Sequence, residues 1–301
     1  MAIVFVFSPI PWRWLDDALW FVLFKRLIFS WFVFWMLLFL QKAIKPNSFD
    51  QLGKMALNSF LFATRIWVVF YLCLIIHFNI KINVGLWRDT LYDPALYQFD
   101  QFSDWFIQAV LFWHPTVDGW FDLAPWYGVV YEFSFLFTFA LFALVRRSAF
   151  RLMFGATVMT MLLGSLFYIL LPAVGPFLYD TPASPYMQQV LPIMYEKYFS
   201  YVASDGQYYI PTFLIQGLAA MPSLHIAQIL VFTYFIWRHL RWLSVLYIPI
   251  TLFIFAEAMY TKYHYLLDLV IGAELAIIGI ILTFILYEWR ARTLLPAAHR
   301  R

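Results

Sequence analysis

Residues 243–287 read LSVLYIPITLFIFAEAMYTKYHYLLDLVIGAELAIIGIILTFILY. Two apolar runs, 243–260 and 266–287, flank a short polar knot, TKYHY. Each run is close to the ~20 residues that an α-helix needs to cross a bilayer, where every backbone polar group must be satisfied within the segment. The stretch therefore predicts a transmembrane hairpin. Its turn carries Lys262 and His264, and Asp268 stands in the first turn of the returning helix.

Working outward, five more apolar segments are readable, at 18–40, 58–78, 126–145, 153–171 and 224–237. Lys25 and Arg26 interrupt the first, which is compatible with a tilted or interfacial helix. The composition agrees: 64% of the 301 residues are hydrophobic, 22% aromatic and only 12% charged, where soluble domains carry about a quarter charged. The fold class expected is all-α, a polytopic transmembrane bundle with a six-helix core and one further N-terminal helix. The expected organisation is a hydrophobic helix and cytoplasmic loop over 1–57, a membrane core over 58–290 and a basic tail over 291–301. No internal repeat or separate soluble domain is evident. A net charge of +3 with no basic patch argues against nucleic acid as a partner. The single Cys73 excludes an intrachain disulfide and any multi-cysteine metal site. The opening residues, MAIVFVFSPIPWRWLDD, lack the marks of a cleavable signal peptide, so the first helix is expected to target the chain.

Short cytoplasmic loops collect Lys and Arg. Lys42, Lys45 and Lys54, then Arg146, Arg147 and Arg151, then Arg238 and Arg241, and finally Arg290, Arg292, Arg300 and Arg301, fall on alternate loops and assign one side to the cytoplasm. The other side is poor in both residue types. It holds two long segments, 79–125 and 172–221. The first mixes acids with aromatic residues, as interfacial helices do, and is a candidate lid. The second, rich in Pro, Tyr and Met, reads as an ordered cap.

Ionisable residues at membrane depth are costly and point to function. In AAMPSLHIAQ, Pro222 and Ser223 end a loop and open a helix, with Ser223 as N-cap. A helix N-terminus binds phosphate, and His225 lies within its first turn, suited to acid–base work. In YHYLLD, His264 and Asp268 are four apart and share a helical face, so the carboxylate can orient the imidazole and make it a nucleophile. The loop pattern independently puts both motifs on the same, non-cytoplasmic side: periplasm, cell exterior or organelle lumen. A metal site built from the same two imidazoles and carboxylate is the competing chemical reading. His77, His114, His239 and His299 read as interfacial or snorkelling residues. Glu132, Glu257 and Glu274 could shape a headgroup pocket or pair within the bundle, and Asp118 with Asp122 reads as solvated rather than metal-binding.

MPSLH, YHYLLD and the upstream YILLPAVGP together resemble the type 2 phosphatidic acid phosphatase superfamily, and more closely its inositolphosphotransferase branch, related to fungal inositol-phosphorylceramide synthase. The resemblance covers 127–276. It implies metal-independent chemistry without a cofactor: His264 attacks phosphorus to give a phosphohistidine, Asp268 orients it, and His225 protonates the departing oxygen. Membrane lipids are the implied substrates. Phosphatases of the superfamily carry a Lys and an Arg in the first motif and a Ser-Arg pair upstream of the nucleophile. Here LFYILLPAVGP has no cation, and Glu257 and Ala258 occupy the places of the pair. Phosphate neutralisation is therefore expected from Lys262, Ser223 and the helix N-terminus, with Pro222, Gly175 and, more distantly, Arg88 completing the substrate-binding set. The activity expected is a lipid phosphotransferase moving a phospho-headgroup, inositol phosphate among the candidates. A lipid phosphate or prenyl diphosphate phosphatase with the same triad is the alternative, and a non-catalytic transporter or scaffold is the alternative from another class.

Overall fold

The computed structural model describes residues 17–43, 49–88, 90–118, 120–207 and 220–294. Among these the regular structure is helical, with no strand. In chain order the helices are α1 (Asp17–Ala43), α2 (Phe49–Trp87), α3 (Asp93–Phe102), α4 (Asp104–Leu111), α5 (His114–Asp118), α6 (Ala124–Val145), α7 (Arg147–Leu170), α8 (Pro185–Ala203), α9 (Leu224–His239), α10 (Ser244–Tyr260) and α11 (Leu266–Leu294). Five stretches are long and apolar enough to cross a membrane: Gln51–Trp87, Ala124–Val145, Arg147–Leu170, Arg241–Tyr260 and Leu266–Arg290. The chain is an integral-membrane helical bundle.

Of the other two expected spans, α1 has 27 residues and α9 is short. The apolar described part of α1 is Ile28–Ala43. At 16 residues α9 is roughly 24 Å long, less than the ~30 Å hydrocarbon core. Its surroundings explain why that suffices: α9 packs on α6, α7, α10 and α11. Ile226, Ile229, Val231, Phe232, Phe235 and Ile236 are all buried, so protein covers most of its length.

Two loops expected from the sequence are helical. The apolar run ends at 78, yet α2 continues to Trp87. The polar residues that end the run are buried against protein and satisfied there: Asn79 donates to the Ile75 carbonyl at 2.8 Å and Asn83 to the Asn79 carbonyl at 3.0 Å. Between α6 and α7 only Arg146 intervenes, because 147–152 join the helix with Arg147 and Arg151 exposed. The candidate lid resolves into α3, α4 and α5, and the expected cap into a 3-10 turn at Pro176–Leu178 followed by α8.

Small residues set the central crossing of α7 with α11, as close backbone approach in a membrane bundle requires. A Cβ on Gly279 would lie 2.2 Å from Thr160 Oγ1, and one on Gly155 would lie 3.0 Å from Thr283 Cγ2. Around this crossing an aromatic core forms, with Phe135 edge-on to Phe232 at 4.7 Å between centroids and Phe139 perpendicular to Phe150 at 6.0 Å. The rigid seam fixes where α7, α9 and α11 end, and the site lies at those ends.

Candidate active site

Three segments distant in sequence meet at one end of the bundle: PAVGP after α7, AMPSLH leading into α9, and YHYLLD leading into α11. Backbone hydrogen bonds join them. Ala220 N–H donates to the Ala173 carbonyl at 2.8 Å, Ser223 N–H to the Asp268 carbonyl at 2.9 Å, and Phe177 N–H to the Lys262 carbonyl at 3.3 Å. The Ser223 link is tight enough that a Cβ on Gly272 would come within 2.4 Å of the Ser223 carbonyl oxygen. Glycine at 272 is what lets α11 approach the MPSLH turn.

Ser223 caps α9, its Oγ accepting the Ile226 N–H at 3.4 Å. The Met221–Pro222 peptide is cis. His225, in the first turn of α9, lies between the rings of Tyr131 and Tyr127, with centroids at 4.3 Å and 4.9 Å, and faces His264 at 5.8 Å. One phosphoryl group could touch both imidazoles. The Tyr127 hydroxyl is buried with no hydrogen-bond partner among the described residues.

His264 and Asp268 are four apart and adjacent in space, but the hydrogen bond between them is not the one the spacing predicts. His264 Nδ1 lies 2.8 Å from the Ala220 carbonyl oxygen and 3.6 Å from Asp268 Oδ2. A carbonyl only accepts, so Nδ1 carries the proton and Nε2 holds the lone pair in the neutral ring. Asp268 Oδ2 accepts the Tyr265 N–H at 2.8 Å, closing the α11 N-terminus as the third helical residue of a capping box does. Its Oδ2 stays beside the imidazole, and Oδ1 is buried without a partner among the described residues.

The expected substrate-binding residues fare unequally. Pro222, Ser223 and Lys262 lie in the joined motifs. Gly175 does too, but its N–H is already given to Asp93 Oδ1 at 2.8 Å. With φ at 144° and a Cβ that would meet the Tyr263 carbonyl at 3.1 Å, Gly175 shapes the loop and offers phosphate no donor. Lys262 Nζ is 2.8 Å from Asp180 Oδ2, so its charge is largely neutralised. Arg88 is exposed at the end of α2, and no described hydrogen bond or ion pair ties it to the site.

Acids of segment 79–125, read from sequence only as part of a candidate lid, build the wall of this site. Asp93, at the start of α3, accepts from Val174 N–H at 2.9 Å, Gly175 N–H at 2.8 Å and the Tyr265 hydroxyl at 2.9 Å, pinning the interfacial helix to two motifs. Burial pushes its carboxyl above the usual range, opposed by these donors. Asp100 accepts the Leu266 N–H at 2.9 Å, and burial pushes it up to about 7, with the Asp268 charge adding and the Leu266 donor opposing. Asp122 is not a metal ligand in waiting: it accepts from Ala124 N–H and from the Ser184 hydroxyl, both at 3.1 Å, joining α6 to α8. The Asp118 side chain and His299 lie outside what is described.

His77 and His114, read from sequence as interfacial, are instead buried, each beside a second ionisable residue. Lys81 of α2 is buried, one turn beyond His77, whose Nδ1 is 3.2 Å from Ser165 Oγ. Lys81 lies within electrostatic reach of both His77 and His225. Its position beyond the apolar run of α2 hid it. His114 and Glu257 form a fully buried pair at 2.5 Å, with His114 stacked on Tyr260 at 3.5 Å. Glu257 is therefore a bundle-packing acid paired with the segment before α6. Glu274 is exposed. Among the described residues no three His, Cys, Asp or Glu side chains gather as metal ligands do.

Fold and constellation define a class: an integral-membrane bundle that gathers two imidazoles and a buried carboxylate where three helix ends meet. Residues 100–282, more than half the chain, match the family described as the PAP2 superfamily, and the chain belongs to it. No curated protein and no solved structure matches the chain. Membership together with membrane-type helices supports a function of the lipid phosphatase or phosphotransferase type. Lys81 and Asp93 both precede the matched stretch.

Proposed function

We propose that the protein is a lipid phosphotransferase that moves a phospho-headgroup, inositol phosphate among the candidates, through a phosphohistidine on His264. The observation that carries this reading is the Nδ1–H of His264 held on the Ala220 carbonyl at 2.8 Å, which leaves Nε2 as the lone pair beside His225. In the first step Nε2 attacks phosphorus and the bond from phosphorus to the donor lipid's oxygen breaks. His225 gives a proton to that oxygen. In the second step an acceptor hydroxyl attacks the phosphohistidine, its proton passes to His225, and the P–N bond breaks to restore His264. Asp268 stabilises the positive charge that develops on His264.

The negative phosphate needs a counter-charge. We assign that role to Lys81, buried and within electrostatic reach of His225, helped by the Tyr127 hydroxyl and the α9 N-terminus. The absence of the superfamily's usual Lys, Arg and Ser-Arg positions supports the transferase branch, and so does the burial of His264 and Asp268, which limits water at the phosphohistidine. We place the site on the non-cytoplasmic face.

The test is incubation of the purified protein with phosphatidylinositol, phosphatidate or a prenyl diphosphate, each with and without a lipid alcohol. A new phospholipid that forms only with the acceptor is the expected outcome. Release of free phosphate independent of acceptor would instead identify a phosphatase.

A further inference from the structure

At the end of the bundle opposite the histidines, α1, α2 and the start of α7 enclose a cavity of about 410 Å³ lined by Lys42, Asn58, Leu61, Phe62, Arg65 and Arg147. Three helices thus each aim a cation at one space. Among the described residues no carboxylate lines it, and none forms an ion pair with these three cations. Two of the cations are held in position. Lys42 Nζ donates to Ser59 Oγ at 3.0 Å, the Arg147 guanidinium sits 4.6 Å over the Phe62 ring, and Gln41 of α1 donates to the Leu144 carbonyl at 2.6 Å, locking α1 to the α6–α7 junction. Arg147 is the first residue of α7, a helix of 24 residues, so the partial positive charge of a helix N-terminus adds to the side chains.

Three like charges brought together without a counter-ion among the described residues repel one another, and an anion that enters relieves this. The walls indicate which anion. Leu57, Phe60 and Leu61, on the same stretch of α2, are exposed as lipid-facing side chains are, so the cavity opens where headgroups meet acyl chains. We propose that it is a second, non-catalytic site for a phosphate-bearing anion, with the headgroup of an anionic phospholipid matching both the cations and the apolar flank. Basic pockets between helices at the cytoplasmic side suit such headgroups, and the Lys and Arg pattern assigns this end to the cytoplasm. The site does not depend on the reaction at His264.

The test uses the full-length protein purified in a zwitterionic detergent, with thermal stability and lipid retention in native mass spectrometry as readouts. The probes are phosphatidylglycerol, phosphatidylcholine and inorganic phosphate. Phosphatidylglycerol is expected to raise the melting temperature and to stay bound, and phosphatidylcholine is not. R65Q and R147Q should each weaken retention about fivefold, the scale of one basic residue at a membrane surface. R147K, which keeps the charge, should retain the lipid, and H264A should leave the shift intact, since the catalytic end is remote. A shift of equal size with inorganic phosphate would identify a soluble phosphate as the occupant of the same site. The proposal is overturned if neither anion shifts stability, or if the R65Q/R147Q double variant keeps the full shift.

Discussion

His264 gives its Nδ1 proton to the carbonyl oxygen of Ala220 at 2.8 Å, while Asp268 holds its nearer carboxylate oxygen 3.6 Å away. The tautomer of the proposed nucleophile is thus set by backbone, and the acid is left to contribute charge. In a triad where the acid alone sets the tautomer, amidation costs about 10⁴-fold in rate. Here Asp268→Asn should cost far less, on the order of 10- to 100-fold in phosphoryl transfer, with His264→Ala inactive. Single-turnover rates of the two variants check this.

His225 is assigned the proton that the leaving oxygen needs. His225→Gln should slow formation of the phosphohistidine by about 10²- to 10⁴-fold with a lipid leaving group. An activated leaving group such as p-nitrophenolate departs without a proton and should recover most of that loss. Equal losses with both substrates would remove His225 from the acid role.

Lys81 and Lys262 make opposite predictions. Losing a hydrogen bond to a charged group costs roughly 1.5–3 kcal/mol, so Lys81→Met should lower kcat/KM by about 10- to 100-fold. Lys262, partly exposed and already paired with Asp180, should matter less: Lys262→Met is expected to change kcat/KM by no more than about fivefold. If Lys262→Met has the larger effect, the counter-charge has been assigned to the wrong lysine.

Asp100 gives the site a pH signature. Its folded-state carboxyl is pushed up to about 7 from an ordinary value of 3.8, so between those values the folded protein binds more protons than the unfolded chain. Stability from this group is fully present below about pH 4 and declines as the pH rises through 7. Asp100→Asn should flatten the fall in melting temperature between pH 5 and 8.

The join between the two histidine motifs rests on Gly272. A Cβ there would meet the Ser223 carbonyl oxygen, a backbone atom, at 2.4 Å. Gly272→Ala should destabilise by about 1–3 kcal/mol and lower activity by shifting the α9 start away from His264, seen as a lower melting temperature and a lower kcat together.

The helices were legible because lipid demands long apolar runs, and the runs at 126–145, 243–260 and 266–287 gave α6, α10 and most of α11. The misreadings came from contacts that hydropathy does not encode. Asn79 and Asn83 end an apolar run, yet each bonds a carbonyl of its own helix, so α2 continues. MPSLH and YHYLLD carry their chemistry in local spacing, and the structure brings His225 and His264 ring to ring. Gly175 and Lys262 were visible by residue type, but their partners, Asp93 and Asp180, lie 82 residues away in each case. Separations of 172 residues from Asp93 to Tyr265 and 166 from Asp100 to Leu266 hid these two acids as wall residues: loop acids carry no local mark that tells solvation from a long-range hydrogen bond.

The central claim is a covalent phosphate on His264. Full-length protein mixed with a donor lipid labelled at its phosphate and quenched before acceptor is added should yield an acid-labile, base-stable phosphoprotein, with the label on the peptide containing His264 and none in the His264→Ala variant. Turnover of the same lipid with no labelled intermediate, or with label that persists in His264→Ala, would contradict the account.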